Sequence, residues 1–85
     1  MKNHNLAPLS ELVSFAGYDP VARVLYLTYK SGAITIAYRD VAPDIWEELC
    51  RSDAPDLVIQ FRIQSVHAFR RLPLAHTLLQ QEFVK

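Results

Sequence analysis

A single cysteine, Cys50, removes any internal disulfide from the 85-residue chain and leaves no Cys/His set at zinc spacing. His67 and His76 lie too far apart in sequence to form a local ligand pair, so neither a metal nor a cofactor is expected. Two glycines and five scattered prolines are too few and too dispersed for a linker or a low-complexity tract. No apolar run approaches the roughly 20 residues that span a bilayer. The opening MKNHNLAPLSELV has no continuous apolar core of a secretory leader, so the expected compartment is a reducing cytoplasm with no membrane contact. None of the common local arrangements of nucleophile, base or phosphate loop is present. Glu47 and Glu48 are adjacent and diverge by about 100 degrees on a helix, which makes them a solvated face rather than a catalytic pair. The expectation is a non-enzymatic domain with no small-molecule substrate.

What is present suffices for one domain spanning residues 1–85. About half the residues (51%) are apolar and 21% charged, a globular balance near the lower size at which one core sustains itself. The formal net charge of zero conceals an asymmetry. Between Asp40 and Asp56 stand Asp40, Asp44, Glu47, Glu48, Asp53 and Asp56 against Arg51 alone; from Leu57 to Gln81 there are Arg62, Arg70 and Arg71 and no acid. The two regions either neutralise each other, within a subunit or across a homo-oligomer, or the basic one meets a polyanion.

The stretch RVLYLTYKSGAITIAYRD (23–40) predicts a β-hairpin. A two-residue turn at Ser31 and Gly32 sets Leu25 opposite Tyr38, Leu27 opposite Ile36 and Tyr29 opposite Ile34, all on one face. Val24, Tyr26, Thr28, Thr35, Ala37 and Arg39 take the other face, and Arg23 meets Asp40 as a cross-strand charge pair. Val13 to Tyr18 reads as a preceding strand closed by an Asp19-Pro20 turn. Pro8 to Leu12 could make one helical turn ahead of it.

Downstream, Pro43 to Arg51 reads as a helix, with Asp44 and Glu47 near its positive end and Arg51 near its negative end. Ile45, Trp46, Leu49 and Cys50 fall on one side, which makes Cys50 a buried apolar side chain. Leu57, Ile59, Phe61 and Ile63 alternate with polar residues, and Val66 to Leu72 continues the run, so 56–72 is expected to be one bent strand or two. In the tail, 73–85, Leu74 with Leu78 and Leu79 with Phe83 fit helical spacing. The tail is either a final helix or a segment that docks on another subunit.

Four segments in order, GYDP (17–20), LTYKSG (27–32), AYRDVAPDIWEEL (37–49) and FRIQSVHAFRRL (61–72), resemble the KTSC domain. This small module is named for its occurrence at the C-terminus of some lysyl-tRNA synthetases. The resemblance covers roughly residues 13–72. The family's Tyr-x-Tyr falls on Ile36, Ala37 and Tyr38, and its Val-Pro on Val41 and Pro43 with Ala42 inserted. Arg62, His67, Ala68, Phe69, Arg70 and Arg71 stand near the family's closing aromatic and basic residues.

Together these readings lead to an α+β fold in which one helix packs on a strongly bent antiparallel sheet, with curling toward a small open Sm- or SH3-like barrel as one form of it. The resemblance implies RNA as a partner. The acid-free basic segment makes Arg39, Arg62, His67, Arg70 and Arg71 the expected contacts to RNA or single-stranded nucleic acid. The alternative is a protein-interaction or homo-oligomerisation module whose basic segment meets a neighbour's acidic helix.

Overall fold

The computed structural model describes residues 1–72; the tail, 73–85, expected as a final helix or as a segment that docks on another subunit, lies outside the described residues. Five strands, β1 (Lys2–Asn5), β2 (Val13–Asp19), β3 (Val24–Tyr29), β4 (Thr35–Tyr38) and β5 (Phe69–Leu72), form an antiparallel sheet in sequence order. β1 and β5 are its two edges, so the sheet is open and does not close into a barrel. Between β4 and β5 the chain makes helix α1 (Pro43–Arg51) and a shorter helix α2 (Pro55–Val58), which runs on as a π-helical segment, Ile59–Gln64. All of these helices cover one face of the sheet, an α+β arrangement with a single core.

The hairpin has the expected register: Leu25 pairs with Tyr38 and Leu27 with Ile36. The turn is longer than two residues. Ser31–Ala33 form a 3-10 turn, and the Tyr29 amide donates to the Ile34 carbonyl at 2.7 Å, closing a four-residue loop. Two and four residues leave the same parity, so every side chain keeps its face. Arg23 and Asp40 do not form the expected ion pair. Both adopt left-handed backbone (φ 58° and 57°) where the strands part, and there the Val41 amide donates to the Arg23 carbonyl at 2.9 Å.

The N-terminal strand β1 was not legible in the sequence, because KNHN carries no apolar alternation. It pairs with β2 from Lys2 opposite Tyr18 to Asn5 opposite Phe15. The helical turn expected at Pro8 to Leu12 lies two residues earlier, with the Leu9 and Ser10 amides both donating to the Leu6 carbonyl. Asp19 closes the β2–β3 turn as expected, its Oδ1 accepting from the Val21 and Ala22 amides at 3.0 and 3.2 Å.

The main correction falls on residues 55–64, which are helical rather than extended. Ile59 and Ile63 are buried while Leu57 and Phe61 are exposed. A spacing of four suits a helix face as well as a strand face, and burial of Val58 beside Ile59 is the helical signature that strict alternation excludes. Only Phe69–Leu72 of the expected strand region is a strand.

In the core, Tyr18 stacks on Trp46 of α1 (centroids 5.5 Å apart, planes at 11°) and its hydroxyl donates to the Val41 carbonyl at 2.5 Å. Ser10 is the buried polar residue of this region. Its hydroxyl donates to the Asp56 carboxylate and accepts from the Leu12 and Val13 amides, and the other Asp56 oxygen accepts from the Glu11 amide at 2.9 Å. The start of β2 is thereby tied to the start of α2.

Candidate nucleic-acid interface

Because side chains alternate along a strand, the face of the sheet turned away from the helices is set by the hairpin register. Tyr26 pairs with Ala37 and Ala37 with Arg70, so the three stand in a row across β3, β4 and β5 on that outer face. Val24 and Arg39 flank the row, and the Arg39 amide donates to the Ala68 carbonyl at 2.9 Å. These residues, with Phe69, line a trough of about 450 Å³. Its floor is the methyl of Ala37, its wall the half-buried ring of Tyr26, and its rim the exposed Arg39 and Arg70. Among the described residues neither arginine forms an ion pair. Asp19, at the end of β2, has one carboxylate oxygen committed to the turn amides.

The five expected contacts therefore separate. Arg39 and Arg70 line the same trough. His67 adjoins it, its Nδ1 lying 3.0 Å from the Arg39 carbonyl. A carbonyl only accepts, so Nδ1 carries a proton and donates to it, while Nε2 is buried without a hydrogen-bond partner among the described residues. Arg71 follows Arg70 on the opposite face of β5, in register with Ile36. Arg62 is on the π-helical segment, and its guanidinium donates to Glu48 of α1 at 2.9 Å. For Arg62, neutralisation of the acidic helix within one subunit is the arrangement found. Tyr26 is the member that the charge pattern could not supply, although the hairpin register already assigned it to the outer face.

A second concavity of about 270 Å³ lies on the helix-covered side, at the β4–β5 end of the sheet, lined by Tyr29, Ile36, Tyr38, Gln64 and Phe69. The Tyr29 and Tyr38 hydroxyls are 2.6 Å apart, and the Gln64 amide donates to the Tyr29 oxygen at 2.9 Å. Burial, then the bond to and the charge of Tyr29, push the Tyr38 phenol well above its ordinary value, so it stays protonated across the physiological range. Partial burial likewise pushes up the Cys50 thiol, with Lys2 opposing and Glu47 adding to the effect; Cys50 packs against the core but is half-buried rather than fully enclosed. Among the described residues no group of three His, Cys, Asp or Glu side chains could hold a metal ion. No helix among them is long and apolar enough to cross a membrane.

The family model of the KTSC domain matches residues 10–56, more than half of the chain. The chain belongs to the KTSC domain family. The matched span of this KTSC domain runs from Ser10 through β2, β3, β4 and α1 into α2 and stops before β5. Of the residues expected to contact nucleic acid, it contains Arg39 alone. The crystal structure of the KTSC domain protein of Yersinia pestis has the same fold, with a TM-score of 0.76 at 17% identity over 85% of this chain and 97% of that one. No curated protein matches the chain.

Proposed function

We propose that this KTSC domain is a non-enzymatic binding module that holds single-stranded nucleic acid, RNA in the first instance, across the outer face of its sheet. The supporting observation is the convergence of Arg39 and Arg70 with Tyr26 around one trough. Two guanidinium groups at the rim neutralise phosphates of one strand, while the Tyr26 ring, across Ala37 from Arg70, offers a face on which an unpaired base stacks. A duplex keeps its bases stacked inside and would engage the arginines only. Arg62, paired with Glu48, has no part in this reading. A cytoplasmic setting suits this reading, and the single free Cys50 is consistent with it.

The test is fluorescence anisotropy with a short mixed-sequence single-stranded RNA and a duplex DNA of equal length, over a range of salt. Two phosphate contacts on a single strand correspond to a log–log salt slope of about −1.4. Arg39→Ala and Arg70→Ala each halve that slope, and Tyr26→Ala weakens binding without changing it. An RNA affinity and slope that are the same in all three variants would falsify the proposal.

The second reading, self-association, is favoured by the exposed apolar pair Leu57 and Phe61, one helical turn apart on the outside of α2 and its continuation. Light scattering across a concentration series decides it: a constant monomer mass removes this reading.

A further inference from the structure

The hydroxyl chain beneath Phe69 is incomplete as a hydrogen-bond network. Tyr29 Oη already accepts from the Gln64 amide. If Tyr29 donates to Tyr38, the Tyr38 proton has no acceptor among the described residues; if Tyr38 donates to Tyr29, the Tyr29 proton has none. Either way one phenolic proton is left over, and the Gln64 carbonyl oxygen beside it has no protein donor among the described residues. The 270 Å³ cleft therefore holds a donor and an acceptor side by side between two apolar walls, Ile36 and Phe69. Its volume is just below the range of roughly 300–1,000 Å³ typical of sites for drug-sized ligands, the scale of a single planar ring.

Phe69 also lines the outer trough, so the two concavities meet at this residue. Its ring is 62% exposed and tilted 43° to that of Tyr38 at 5.9 Å, open to further aromatic contact. Arg70 and Arg71 follow it on opposite faces of β5.

We propose that the Tyr29–Tyr38–Gln64 cleft is a base-reading subsite, which takes the hydrogen-bonding edge of one unstacked nucleobase whose strand continues onto Arg39 and Arg70. The free phenolic proton meets an acceptor on that edge, a ring nitrogen or a carbonyl oxygen, the Gln64 carbonyl oxygen meets the adjacent N–H, and the Phe69 ring covers the base. This rests on the outer-face reading and adds a second contact to it, on the other side of β5. An edge that presents adjacent donor and acceptor is common to all four RNA bases, so the subsite distinguishes a strand with bases from one without.

The experiment compares a single-stranded oligonucleotide with an abasic strand of the same length and backbone, measured by anisotropy with wild type, Gln64→Leu, Phe69→Ala and Arg39→Ala/Arg70→Ala. Gln64 and Phe69 are exposed, so both single variants keep the fold, which circular dichroism verifies. On the base-bearing strand, Gln64→Leu is expected to bind about fivefold more weakly and Phe69→Ala about tenfold more weakly, with the salt slope unchanged. On the abasic strand neither variant differs from wild type. If both bind the base-bearing strand as wild type does while the double arginine variant is weakened, the cleft reads no base and only the outer-face function stands. If wild type binds neither strand, both proposals fall.

Discussion

Arg62 and Glu48 sit 2.9 Å apart across the gap between the π-helical segment and α1. Both side chains remain about half exposed, at 49% and 42%. The pair spends one of the three arginines of the basic region on the acidic helix, and so leaves Arg70 and Arg71, on opposite faces of β5, as the arginines of that region without an ion pair among the described residues.

The stability contribution of that pair is small. Exposed ion pairs contribute about 0.2–1 kcal/mol, so Arg62→Ala lowers unfolding free energy in urea by no more than that. The same variant leaves RNA affinity within about twofold, in contrast to Arg39→Ala or Arg70→Ala. A loss from Arg62→Ala as large as theirs would place Arg62 in the interface after all.

Asp56 carries more. Its carboxylate accepts from the buried Ser10 hydroxyl and the Glu11 amide. Asp56→Ala leaves both donors without their partner and is expected to destabilise the fold by about 2–3 kcal/mol in chemical denaturation. Ser10→Ala removes the hydroxyl and its bonds to the Leu12 and Val13 amides together, and its cost is of similar size.

Alkaline pH provides an independent measurement. Tyr18 and Tyr38 both have phenols raised above the ordinary 10.0, in each case mainly by burial. A raised folded-state value means that the folded protein holds the proton where the unfolded chain has lost it. The associated stability is complete below pH 10 and declines as pH rises beyond it. Between pH 10 and its folded-state value, each such tyrosine lowers stability by at most about 1.4 kcal/mol per pH unit. Urea midpoints that fall steeply above pH 10 in wild type, and less steeply in Tyr38→Phe, are the expected result; identical curves would contradict it.

The β3–β4 loop stores a removable strain. Ala33 has φ of 51°, a left-handed conformation that costs a non-glycine residue about 1–2 kcal/mol. Ala33→Gly relieves it at some cost in unfolded-chain entropy, for an expected net gain of about 0.5–1 kcal/mol in thermal or urea unfolding. A decrease would mean that the Ala33 methyl makes contacts that outweigh the strain.

Legibility of the fold followed the strength of the local period. The hairpin was readable because Leu25, Leu27, Ile36 and Tyr38 alternate strictly on both strands, and a slip of one residue would have exposed all four. α1 was readable because Pro43, the acids after it and Trp46 with Leu49 all indicate the same helix. Residues 57–63 misled because apolar side chains at every second position also occupy every fourth, and the position that separates the two periods, Val58, is itself apolar. β1 carries almost no apolar pattern, and its pairing depends on β2 being there to receive it. In the candidate site, charge picked out Arg39 and Arg70, which line one trough, but could not separate them from Arg62, whose partner Glu48 lies fourteen residues away across a helix–helix contact. Tyr26 needed the sheet register, and Gln64 needed the helix that alternation had concealed.

The hydrogen bond between Ser10 and Asp56 joins the first and last residues of the span that matches the family. The two ends of that span meet in space, like the clasp of a bracelet. Chain leaving such a unit departs beside the point at which it entered. The flanking segments still close the same core, through Leu6 on one side and Ile59 and Ile63 on the other. The matched span is in this sense fastened at its own ends, while Arg70, Phe69 and Gln64, which line the two concavities, come from outside it.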